Sequence, residues 1–159
     1  MTIARHLLKN GADPTERDND GVTPFQEAKI KINSEDIYLL DLILSNEKQV
    51  EIDEKNEFGM TALHMATIES NATAARYLIE NRANPNATDE NGCTPLHLAA
   101  LMAKDMDIIE LLLNEKEVDV NHLSNGEQNA LYFAKYNDHG LGELIANRLK
   151  EKGAMEIED

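Results

Sequence analysis

Tryptophan is absent from this 159-residue chain, cysteine occurs once, at Cys93, and aromatic residues make up only 4% of it. A lone cysteine excludes an intramolecular disulfide and a cysteine-based zinc cluster, and it fits a reducing compartment. With few large rings, the apolar content falls to Ala, Leu and Ile, the composition of small helices packed closely together. Basic residues are also scarce, 15 Lys and Arg against 30 Asp and Glu, giving a formal charge of −15. Such a surface is repelled by a phosphate backbone and by anionic lipid, which argues against nucleic acid and membrane as partners. Another protein, with a basic or apolar contact surface, remains. No run approaches the roughly 20 apolar residues that cross a bilayer. The start, Met1-Thr2-Ile3-Ala4-Arg5-His6, has no apolar run or cleavage site of a secretion signal. The expectation is an intracellular chain, in the cytoplasm or also the nucleus.

What is present is a repeat. Gly21-Val22-Thr23-Pro24-Phe25-Gln26-Glu27-Ala28 aligns with Gly59-Met60-Thr61-Ala62-Leu63-His64-Met65-Ala66 and with Gly92-Cys93-Thr94-Pro95-Leu96-His97-Leu98-Ala99. A weaker copy, Asn129-Ala130-Leu131-Tyr132-Phe133-Ala134, carries its turn glycine, Gly126, one place early. The spacings are 38 from Thr23 to Thr61, 33 from Thr61 to Thr94 and 35 from Thr94 to Asn129. A period near 33 with insertions denotes a stacked array. Asp or Asn three places before Gly makes a tight turn with positive φ. Thr caps the helix that follows, Pro presets its first φ, and the Leu or Phe and the Ala share its inner face. A second apolar stripe follows each: Leu39, Leu42 and Ile43; Leu78 and Ile79; Ile108, Ile109, Leu112 and Leu113; Leu144, Ile145 and Leu149. Gly11-Ala12-Asp13 and Gly153-Ala154 read as helix C-caps.

This pattern resembles the ankyrin repeat, with Thr94-Pro95-Leu96-His97-Leu98-Ala99-Ala100 near the family consensus. The resemblance covers nearly the whole chain. It implies an all-α repeat (α-solenoid) of helix-turn-helix units with β-hairpin loops: one domain over 1–159, with a half repeat at 1–17 and repeats at 18–55, 56–88, 89–123 and 124–156. The departures are local. Arg82 replaces a capping Gly, 114–119 lacks Gly and runs long, and the first full repeat carries an excess of residues.

Nothing points to catalysis, a cofactor or a metal. The sequence contains no His-x-x-x-His, no Gly-x-Ser-x-Gly and no paired cysteines, and Gly140-Leu141-Gly142 lacks the third glycine of a dinucleotide loop. His64 and His97 recur in register, where the family's histidine hydrogen-bonds the neighbouring loop. The resemblance places binding on a concave face of hairpin tips and first-helix ends. Here those positions include Val22, Phe58, Met60, Ile68, Glu90, Asn91, Cys93, Leu101, Met102 and Tyr136, an apolar strip with acids around it. Asn86 and Asn121 resemble the asparagines hydroxylated in ankyrin repeats, against the plainer reading that each braces its turn. The expected function is a protein-binding scaffold. A short acidic array also resembles inhibitors of Rel-type transcription factors, viral ones included, which mask a basic nuclear-localisation segment. A third reading is a piece of a longer structural array, since Ile3, Leu7 and Leu8 have no covering helix in the half repeat.

Overall fold

The computed structural model describes residues 51–157, so the units at 1–17 and 18–55, except 51–55, and with them Val22, lie outside the described residues. Six helices follow in order: α1 Ala62–Ile68, α2 Ala72–Glu80, α3 Pro95–Met102, α4 Asp107–Asn114, α5 Ala130–Ala134 and α6 Gly142–Glu151. They form three pairs, one in each of 56–88, 89–123 and 124–156. First helices stack in a row, α1 on α3 on α5, while α2 packs on α4 behind them.

Local chemistry sets the helix ends. Thr61 and Thr94 stand extended at the N-caps of α1 and α3, and Pro95 occupies the first turn of α3. Asn71 Oδ1 accepts from Ala74 N at the start of α2, and Asn129 Oδ1 from Tyr132 N at the start of α5. At the end of α6 Gly153 turns left-handed, φ 94°, and Ala154 N reaches Leu149 O at 3.0 Å. Arg82 makes the same turn after α2, φ 72°, with Ala83 N on Leu78 O at 2.9 Å. The motif survives without its glycine because the backbone bonds hold it, at some steric strain. The longer segment after α4 leaves the helix differently: Glu115 is extended, φ −75° and ψ 127°.

The core is a continuous seam. Leu63, Leu78, Leu96, Ile108, Ile109, Leu112, Ile145 and Leu149 are fully buried, with Ala66, Ala99, Ala100 and Ala134 small enough to let helices approach. Burial of each Leu or Ile stabilises the array by about 1.5–3 kcal/mol. Leu144, expected in the last stripe, is instead 53% exposed. Ile145 and Leu149 carry the buried face of α6, and Leu144 lies outside it.

The loops keep a hairpin course but carry no β-strand among the described residues. Each is a four-residue turn closed by Gly59 N on Asn56 O, Gly92 N on Asp89 O or Glu127 N on Ser124 O, plus one outer bond such as Asp89 N on Cys93 O at 2.9 Å. In the second and third turns the carbonyl that takes this outer bond also accepts from a histidine of the preceding unit. His64 Nε2 meets Cys93 O at 3.0 Å, and His97 Nε2 meets Gln128 O at 3.0 Å.

Candidate protein-binding surface

The turns stand in a row because each is bonded to the one before. Glu90 N donates to Phe58 O at 3.2 Å and Asn125 N to Asn91 O at 2.9 Å. In the first two turns an Asx side chain caps the tip from within: Asn56 Oδ1 accepts from Phe58 N and Met60 N, and Asp89 Oδ1 from Asn91 N and Cys93 N. Gly92, φ 73°, must be glycine twice over, since a Cβ there would also meet Asn125 N at 2.8 Å. In the third turn the left-handed residue is Glu127, φ 58°, and not Gly126. The early glycine therefore does not mark the bend.

Below the tips, each consensus histidine joins two repeats. Its Nε2 faces a carbonyl, which can only accept, so Nε2 carries the proton and Nδ1 accepts from Thr61 N or Thr94 N, both at 3.1 Å. Burial lowers both histidine pKa values from 6.5, outweighing the backbone acceptors that favour the charged form. Both rings are neutral structural braces.

This geometry sorts the expected contact residues. Phe58 is 58% exposed at the first tip, beside exposed Glu90 and Asn91 of the second. Met60 is half-buried. Cys93, in the equivalent place, is 5% exposed and does not belong to the strip; its neighbour in the turn, Asn91, faces out instead. Burial and the nearby Asp89 push its thiol up to about 11, so it is neutral and unreactive. At the first-helix ends Ile68 and Leu101 are half-buried, while Met102 is 37% and Tyr136 56% exposed. Asn137 Nδ2 donates to Leu101 O at 3.2 Å and Ala103 O at 3.1 Å, which sets the end of α3, with Met102, beside Tyr136.

Sequence reasoning missed Tyr132. Its ring lies 5.3 Å from that of Tyr136, their hydroxyls are 3.2 Å apart, and Lys135 Nζ stands 5.5 Å from its centroid. The signal was present, because Tyr132 and Tyr136 are four apart on one helical face. Leu123 and Met155 are also exposed, at positions the repeat pattern did not single out.

Asn86 and Asn121 brace the stack more widely than their own turns. Asn86 donates to Glu117 O and accepts from Asp119 N at 2.9 Å; Asn121 donates to Gly153 O at 3.0 Å and accepts from Met155 N at 2.8 Å. Both amide functions are thereby engaged with the next unit. Asp53 begins the same ladder, accepting from Asn84 N at 2.9 Å.

A family model of ankyrin repeats matches the chain in three copies, over residues 1–89, 29–123 and 84–155. The chain belongs to the ankyrin repeat family. Ankyrin repeats generally mediate protein–protein interaction and are generally non-catalytic. Relatives include an ankyrin repeat protein of fowlpox virus, 36% identical over 131 residues, covering 81% of this chain and 37% of that protein. An ankyrin repeat-containing protein of Caenorhabditis elegans is 28% identical over 149 residues, 90% of this chain and 24% of its own length. A palmitoyltransferase of Lachancea kluyveri is 32% identical over 114 residues, 70% of this chain and 15% of the enzyme. The chain thus spans 37% or less of each of these ankyrin relatives. Among the described residues, no ankyrin helix is long and apolar enough to cross a membrane.

Proposed function

We propose that this ankyrin array captures a partner protein on the face formed by its turn tips and first-helix ends, with Phe58, Met102 and Tyr136 as anchors. The supporting observation is that these large apolar side chains are exposed at positions the repeat does not use for folding. A solvated scaffold surface gains nothing from them, whereas a partner that buries such anchors gains most of its binding energy there. Met60, Ile68 and Leu101 back the strip, and Glu90, Asn91 and the acidic surplus form a rim that steers a basic contact. Affinity capture from lysate supplies the partner. Replacing Phe58, Met102 and Tyr136 with Ala weakens its binding by about 2 kcal/mol or more at the best anchor, with the helical signal intact. Unchanged affinity in the triple variant would refute this face.

A narrower reading is supported by the charge of −15 and by the fowlpox relative: an inhibitor that masks the basic nuclear-localisation segment of a Rel-type transcription factor. It places the chain in the cytoplasm or nucleus, with Cys93 reduced. Binding to a Rel-homology domain that is lost on deleting that segment supports it; binding indifferent to the segment removes it.

A further inference from the structure

The third turn differs from the others by one side chain and by its early glycine, and together these expose a reactive backbone nitrogen. Phe58 N and Asn91 N, in equivalent places, are capped by Asn56 Oδ1 at 3.0 Å and Asp89 Oδ1 at 2.9 Å. Ser124 stands where those Asx residues stand. Its shorter side chain accepts only from Gln128 N, at 3.4 Å, so Gly126 N has no hydrogen-bond partner among the described residues. Both Gly126 and the Asn125 before it are exposed.

We propose that Asn125 is a site of spontaneous deamidation, with water as the only co-reactant. Gly126 N, once deprotonated, attacks Asn125 Cγ and forms a five-membered imide. The Cγ–Nδ2 bond breaks, and ammonia leaves with a proton taken from water. Water then opens either imide carbonyl, giving aspartate or isoaspartate. Glycine favours ring closure because it puts no Cβ beside the attacking nitrogen.

Asn91-Gly92 provides an internal control. Gly92 N is committed to Asp89 O at 3.1 Å and its φ is held at 73°, so attack there first requires breaking a turn bond. Asn10-Gly11 lies outside the described residues. The product matters to the array because Asn125 Nδ2 donates to Glu90 O at 2.9 Å. A carboxylate cannot donate, so the second and third tips lose that tie and gain a negative charge next to Glu90.

The whole chain, incubated in mildly alkaline buffer made with heavy-oxygen water and then digested, is read by mass spectrometry. Heavy label enters Asn125 about fivefold or more faster than Asn91, the ratio set by one lost turn hydrogen bond. Ser124→Asp, which restores the cap on Gly126 N, slows labelling at Asn125. Label that enters Asn91 as fast as Asn125, an unlabelled Asn125, or a rate indifferent to Ser124→Asp each overturns the proposal.

Discussion

The unit at 89–123 and the unit at 124–156 perform the same architectural task with different residues. In the former, Asp89 caps the turn, Gly92 bends it, Thr94 and Pro95 open an eight-residue helix, and His97 reaches the next unit. In the latter, Ser124, Glu127 and Asn129 replace them, α5 has five residues, and Tyr132 holds the histidine's place. The side chain of Asn129 acts within its own unit instead, its Nδ2 donating to Met155 O at 2.8 Å. The joint between repeats that His97 makes thus has no histidine counterpart in this unit. In its place Tyr132 pairs with Tyr136 on the surface.

The comparison breaks first in the core. Leu96→Ala empties a fully buried site and lowers stability by about 2–5 kcal/mol, whereas Leu144→Ala on exposed α6 changes it by about 0.5 kcal/mol or less. Chemical denaturation of both variants decides. Equal losses would mean that the exposure of Leu144 is wrong.

The histidine joints come next. Because burial depresses the folded pKa of His64 and His97, the unfolded chain takes up protons first as pH falls. Their contribution is complete above 6.5, the ordinary value, and is lost as pH drops below it towards the lowered folded values. Asp89 moderates the effect on both, Lys55 acts on His64, and His122, edge-on to His97 at 5.9 Å, acts on His97. His97→Ala strands Thr94 N and removes the tie to Gln128 O, which keeps its bond from Ser124 N; it costs about 1–3 kcal/mol and flattens the pH dependence of melting between neutral and mildly acidic buffer. A variant with wild-type pH dependence would contradict the brace.

The turns sharpen the contrast with opposite signs. Gly92→Ala destabilises by roughly 1–2 kcal/mol from its backbone alone, while Glu127→Gly relieves a left-handed residue and stabilises by about 1 kcal/mol. If both variants lose stability, the bend in the third turn is not at Glu127.

How far the sequence carried follows from what each residue answers to. The helix pairs were legible because Thr, Pro and the Leu-x-x-Ala spacing act locally, through capping and periodicity. The histidine bridges were legible only by family resemblance, and the asparagine bridges, read as bracing their own turns, were not legible, since the partners lie about a repeat away, as from His64 to Cys93 O. Cys93 was misplaced for a different reason. Turn position indicates that a residue is near the tip, but not that alternate residues face in, and its thiol is buried while Asn91 is exposed. Gly126 misled because the turn keeps its register, with the left-handed position on Glu127, while the glycine itself stands one place early.

The smallest expected effect concerns how α6 is held. Its buried Ile145 and Leu149 serve the core, but on the outer side it meets α4 through Arg148, whose guanidinium grips Glu110 at 2.7 and 2.9 Å and also reaches Glu151. Those contacts hold the Glu110 carboxyl below its usual range, the Arg148 hydrogen bonds being the main cause. The groups are open to solvent, so the two-point geometry orients the helices more than it stabilises them. Arg148→Met therefore lowers the melting temperature slightly in dilute buffer, and high salt erases most of the difference by screening the wild-type pair. A large loss that persists in salt would show that Arg148 acts by covering the core with its alkyl stem, making this contact as much a part of the hydrophobic seam as Leu149.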